Sequence, residues 1–150
     1  MKSTMNMKSV MTVALPVALL VLIGALQATA QDDQSCSNAS LKGSYGFQIT
    51  GSIPGVFAIG GVARVLFDGQ GNFTQSDDLQ ILVSGQAPVV ILDRPGSGTY
   101  TVNPDCTGSE TLNAGGKVSH SRFLLVNHGK EVFDMGSDPG VVVTGVGKKQ

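Results

Sequence analysis

The chain has little charge and few of the residues that build metal or redox centres. Of its 150 residues, 10 are Lys or Arg and 11 are Asp or Glu, for a formal net charge of −1. That balance supplies no basic footprint, so nucleic acid and anionic lipid are not expected as electrostatic partners. Its only histidines, His120 and His128, have no cysteine or carboxylate at ligand spacing. Zinc takes three or four convergent ligands, so no metal site is expected. Its only cysteines, Cys36 and Cys106, form no CxxC motif and stand in no basic neighbourhood, so nothing marks a redox pair. Glu110 and Glu131 are the only glutamates, and the aspartates gather at turns. No facing pair of carboxyls of the kind glycosidases use is legible. No Gly-x-Ser-x-Gly elbow marks a hydrolase nucleophile. Ser119-His120-Ser121 makes no dyad, because adjacent strand residues point to opposite faces. No cofactor is expected. With no tryptophan, six phenylalanines and two tyrosines carry all the aromatic bulk available to a core.

What is present begins with an export address. Lys2 and Lys8 form a positive start, Val10 to Leu26 is apolar and uncharged, and Ala28-Thr29-Ala30 is a small-x-small cleavage site. That order reads as a signal helix over residues 1–30, cut after Ala30. The apolar run is about 17 residues, near the lower limit for a spanning helix. Pro16 interrupts it and no basic cluster follows, so removal is expected over retention as an anchor. The expected home of the remainder is secreted or periplasmic, with no stable membrane insertion. Losing Lys2 and Lys8 leaves 8 basic against 11 acidic residues, or −3, over 31–150. In an oxidising compartment Cys36 and Cys106 pair most simply with each other.

Residues 31–150 read as a single all-β domain. Short runs rich in Val, Ile, Thr, Phe and Tyr are punctuated by Gly, Asn, Asp and Pro. Tyr45, Phe47 and Ile49 share one face of the first run. Ile53-Pro54-Gly55 breaks it, and Gly60-Gly61 reads as a bend or bulge in the next. Asp68-Gly69-Gln70-Gly71-Asn72 superficially resembles a calcium loop. Counting from Asp68, however, Phe73 and Leu79 fall where an EF-hand needs Gly and Glu, so a hairpin turn is expected. Asp77-Asp78 reads as a solvated bulge or strand surface. Val89 to Leu92 reads as a short strand ended by Arg94-Pro95-Gly96, with Gly98 to Val102 as a separate one. Hairpin-length links follow to Val141–Val146. About eight to nine strands at this spacing form a small antiparallel up-and-down barrel. Closing the first strand on the last removes both unpaired edges.

The stretches Cys36 to Phe47, Phe67 to Thr74, Gly98 to Gly108 and Asp138 to Gly145 resemble a family of small exported bacterial proteins of unknown function. That family in turn resembles the allene-oxide-cyclase-like or calycin-type β-barrels. The resemblance implies a barrel with an interior ligand site. It transfers no catalytic residue to this chain, and similarity of fold does not carry activity.

The expected function is binding of a small apolar ligand within the barrel. The alternatives are a cofactor-free isomerase or cyclase using the same cavity, or a structural envelope module with a filled core. The candidate ligand residues are Tyr45, Phe47, Arg64, Phe67, Tyr100, His120, Arg122 and Phe123. The aromatics are equally the natural core. Arg64 interrupts an apolar strand and either lies along the outer wall or faces inward with a counter-charge. His120 and Arg122 share a strand face with Val118 and Leu124, and the pattern does not say which face is buried. An inward Glu110, Glu131 or His120 would favour catalysis.

Overall fold

Period-two alternation, interrupted by residues that accept positive φ, makes this chain reverse direction again and again. The computed structural model describes residues 35–53, 57–140 and 142–150. The leader expected over 1–30 lies outside the described residues, as does the Pro54-Gly55 break. The strands are β1 (Lys42–Ile53), β2 (Phe57–Asp68), β3 (Asn72–Val83), β4 (Val89–Val102), β5 (Thr107–Ala114), β6 (Lys117–Val126), β7 (Glu131–Gly136) and β8 (Val142–Lys149). Each pairs antiparallel with the next, and the order β1 to β8 closes into a barrel. The closing ladder runs from Tyr45 opposite Lys149 to Ser52 opposite Val142. Closure therefore removes the free edges of β1 and β8, while residues 89–95 of β4 have no β5 partner.

The strand count is eight, the lower of the expected numbers, because Val89–Leu92 and Gly98–Val102 are halves of β4. Asp93, with φ of 50°, is the joint. Leu92 and Asp93 together face the single Asp78, so the extra residue is a bulge and the chain continues as strand. The Asp78 carboxylate accepts the Asp93 N–H at 2.8 Å and holds the kink. Pro95 is tolerated because β5 meets β4 only from Gly96 onward, so no neighbour on that side needs its missing N–H. Gly60 and Gly61, read as a bulge, instead keep continuous register with both β1 and β3.

One end of the barrel is sealed. Tyr45, Phe67, Phe73, Tyr100, Phe123, Leu125 and Val132 are buried there. The Phe67 ring meets Tyr45 and Tyr100 edge-on, at 5.4 and 5.2 Å between centroids. Such contacts contribute roughly 1 kcal/mol each beyond burial. Both phenols find acceptors: Tyr100 donates to the Leu41 carbonyl at 2.8 Å, and Tyr45 to the Gly129 carbonyl. A short 3₁₀ turn, Asn38–Ser40, caps this end, and Asn38 Oδ1 accepts the Val102 N–H at 2.8 Å. The Cys36–Cys106 disulfide fastens the cap to the β4–β5 turn.

Three large rings fit inside this narrow cylinder because each lies on a glycine of the adjacent strand. Phe73 faces Gly98, Phe123 faces Gly108 and Phe47 faces Gly147. A Cβ on any of the three glycines would strike the facing ring. This is ring-over-glycine pairing, which fixes register as well as space.

The hairpin expected at Asp68 is present. Its carboxylate accepts the Gln70 and Asn72 N–H groups and the Asn72 amide. Those bonds hold the Asp68 carboxyl down at about 2.

Candidate functional site

Alternation sends every second residue of a barrel strand inward. Near the sealed end those residues are fully buried. Further along, on the flank built by β5 to β8 and β1, the inward series changes character. Phe47, Ile49, Glu110, Leu112, Ser121, Asp134 and Val143 continue the same faces but are only half-buried. An inward side chain that keeps exposure does so through the interior, so space reaches these residues from the open end. On β2 and β3 the inward Ala63, Asp77 and Leu79 are buried, and beyond them Ile59, Ile81 and Ile91 are half-buried as well.

Two polar clusters sit on the inner wall. The first joins β3 to β4. Asp77 is 1 % exposed. Arg94 grips it bidentately, Nε to Oδ1 and Nη2 to Oδ2, both at 2.8 Å, and Gln75 adds a third bond at 2.6 Å. Asp77 was expected at a solvated bulge. The bulge is there, but the extra residue lies on β4, so Asp77 keeps the inward parity of Phe73 and Gln75.

The second cluster spans three neighbouring strands: Glu110 on β5, Ser121 on β6 and Asp134 on β7. Glu110 and Ser121 are cross-strand partners, and Ser121 Oγ donates to Glu110 Oε1 at 3.1 Å. Burial first, and then the charge of Asp134, push the Glu110 carboxyl up to about 7. Burial likewise pushes Asp134 up to about 6, against the opposing pull of the nearby Ser121 hydroxyl and Met135 N–H. Among the described residues Asp134 Oδ1 is buried with no hydrogen-bond partner. Both carboxyls therefore hold their protons to higher pH than a solvated carboxylate does. Such a pair can donate and accept a proton, or hold a cation.

Of the residues singled out from sequence, Tyr45, Phe67, Tyr100 and Phe123 lie in the sealed core. Phe47 stands higher. A Cβ on Gly145 would meet Phe47 Cδ1 at 3.4 Å and Asp134 Oδ2 at 3.5 Å, so ring and carboxylate flank one glycine. Arg64, His120 and Arg122 are exposed on the outer wall. His120 binds Asp138 of the β7–β8 turn through both Nδ1 and its backbone N–H, each at 2.8 Å. Glu131 also faces outward, 3.9 Å from Lys148. Sequence reasoning weighed Glu110 and missed Asp134. The available signal was the inverted alternation of β7, where Phe133 and Met135 are exposed and Asp134 turns inward.

A hollow of about 610 Å³ opens mainly on the outer wall, lined by Gln48, Thr50, Val62, Asp78, Val90 and Leu92, and it also touches Ile49 and Leu79. It exists because Gly60 puts no side chain between Thr50 and Gln80. It opens broadly to solvent.

Among the described residues no group of three or more His, Cys, Asp or Glu is placed to hold a metal ion. Nor is any helix long and apolar enough to cross a membrane. Compared with protein-family models, with curated proteins and with solved structures, the chain matches none.

Proposed function

We propose that this is an exported binding protein that takes a small, largely apolar molecule into the open half of its barrel. The observation that carries this reading is the change in burial along one inner wall: the same strand faces are sealed at one end and half-buried at the other. Phe47, Ile49, Leu112 and Val143 offer apolar contact, and the Glu110–Ser121–Asp134 cluster offers a few convergent polar groups. That mixture is the usual make-up of a small-molecule site. The likeness to calycin-type barrels and the leader over residues 1–30 belong to this proposal, and the disulfide suits an extracytoplasmic setting.

A second reading, a cofactor-free isomerase in the same chamber, is favoured by one feature. The Glu110 and Asp134 carboxyls are tuned to about 7 and 6, the range in which a general acid and a general base work at neutral pH.

Methyl NMR titration with 1-octanol tests the binding reading. Shifts are expected at Ile49, Leu112 and Val143, and Ile49→Trp should abolish them. Shifts confined to Ile49, Val90 and Leu92, which line the outer hollow, with none at Leu112 or Val143, would contradict it. Native mass spectrometry of protein made in an exporting bacterial host tests the rest. The expected species lacks residues 1–30 and carries a co-purified ligand; an intact leader would contradict export.

A further inference from the structure

The inner wall carries one charged group that nothing in the fold balances. Arg94 is matched by Asp77 through two hydrogen bonds. The Glu110–Asp134 pair has no such match. The charges acting on it are the two carboxyls themselves. From β6 comes Ser121, from β8 Gly145 and from β1 Phe47, none of them charged. From β4 comes Tyr100, whose hydroxyl is taken by the Leu41 carbonyl. Independently of the carboxyl count, Asp134 Oδ1 is buried and lacks any donor. A buried acceptor without a donor is rare in a folded protein and calls for an unseen partner.

Resting on the chamber reading above, we propose that Glu110, Ser121 and Asp134 form a recognition site for the protonated amine of an otherwise apolar ligand. An alkylammonium has three donors. One serves Glu110, one serves Asp134 Oδ1, and its charge offsets the like-charge pair. The Ser121 hydroxyl, held at Glu110, keeps the two carboxyls in place. Phe47 stands beside Asp134 and is placed to pack on the carbon body of the ligand. The apolar half of the site is Ile49 and Leu112, which the parity of their strands turns to the same interior.

Ammonium binding needs the carboxyls ionised, so it must expel the protons that burial holds on them. The sign is therefore fixed: affinity for an amine rises with pH through the range where the pair titrates, while affinity for a neutral isostere does not.

The test is calorimetric titration of the full chain with benzylamine and with benzyl alcohol, in two buffers of different ionisation enthalpy. Benzylamine should bind at least about tenfold more tightly than the alcohol at pH 7.5. Its affinity should fall at least about tenfold on going to pH 5.5, and binding should release protons to the buffer. Glu110→Gln and, separately, Asp134→Asn should each weaken benzylamine about tenfold or more and leave benzyl alcohol unchanged. Both variants are isosteric and remove a buried like charge, so loss of folding is not expected to obscure the result. Equal binding of amine and alcohol, or amine binding untouched by both substitutions, overturns the amine site and leaves the chamber standing. Failure of both probes to bind overturns the chamber and the amine site together.

Discussion

The two polar clusters of the inner wall invite comparison. Asp77–Arg94–Gln75 and Glu110–Ser121–Asp134 both place carboxylates inside a small barrel, and both join neighbouring strands. In the first, every carboxylate oxygen has a donor and the charge is neutralised within the fold. In the second, one hydroxyl serves Glu110, and the buried Asp134 Oδ1 has no donor. A buried charge that serves stability brings its counter-ion with it. A pair that lacks one lowers stability, and such tension concentrates where a protein binds or reacts. The comparison separates a fastener from a site without reference to any relative.

The comparison can be broken in order of expected effect. The yardstick is the disulfide, which touches neither cluster. Replacing Cys36 and Cys106 with Ser frees a span of 70 residues, and the chain-entropy estimate is a loss of about 4 kcal/mol. Urea unfolding should show that loss with the pH profile of stability unchanged in shape. Arg94→Met strands Asp77 in the interior and should cost about 3 kcal/mol at neutral pH. A cost near zero would mean that Asp77 is not a fastener.

Glu110→Gln should do the opposite. The folded carboxyl titrates at about 7 against 4.5 unfolded, and Asp134 at about 6 against 3.8. Between those limits the folded chain holds protons that the unfolded chain has released, so stability falls as pH rises from about 4 to 7. Removing Glu110 should therefore stabilise by about 2 kcal/mol at pH 8 and by almost nothing at pH 4. Stabilisation of equal size at both would contradict the carboxyl origin. The smallest effect lies on the acid side. Asp68 at about 2, with Asp105 and Asp138 also lowered by hydrogen bonds, makes stability decline again as pH drops below 3.8. The unfolding midpoint should peak near pH 4.

The barrel was readable because its signals are local. Asp-Gly and Asn-rich turns stop strands, alternation sets faces, and an apolar last strand needs a partner. The Asp93 bulge was not readable, because Arg94-Pro95-Gly96 has every mark of a stop. Whether strand continues depends on Asp78 across the ladder, a tertiary fact. The face of β6 was undecided because Val118 and Leu124 on one side balance Phe123 and Leu125 on the other. Ring-over-glycine pairing at Phe123 and Gly108 settles it. The acid pair was half visible. Glu110 lies between Gly108 and Leu112 on an inward face, but its partner comes from β7, and no spacing in the chain connects them.

The most direct measurement is a carboxyl-carbon NMR titration of Glu110 and Asp134 in the full chain without ligand. This account predicts two coupled steps with midpoints near 7 and 6. Both groups titrating below pH 5, in the range of ordinary surface carboxylates, would show that the interior does not hold their protons and would contradict the account.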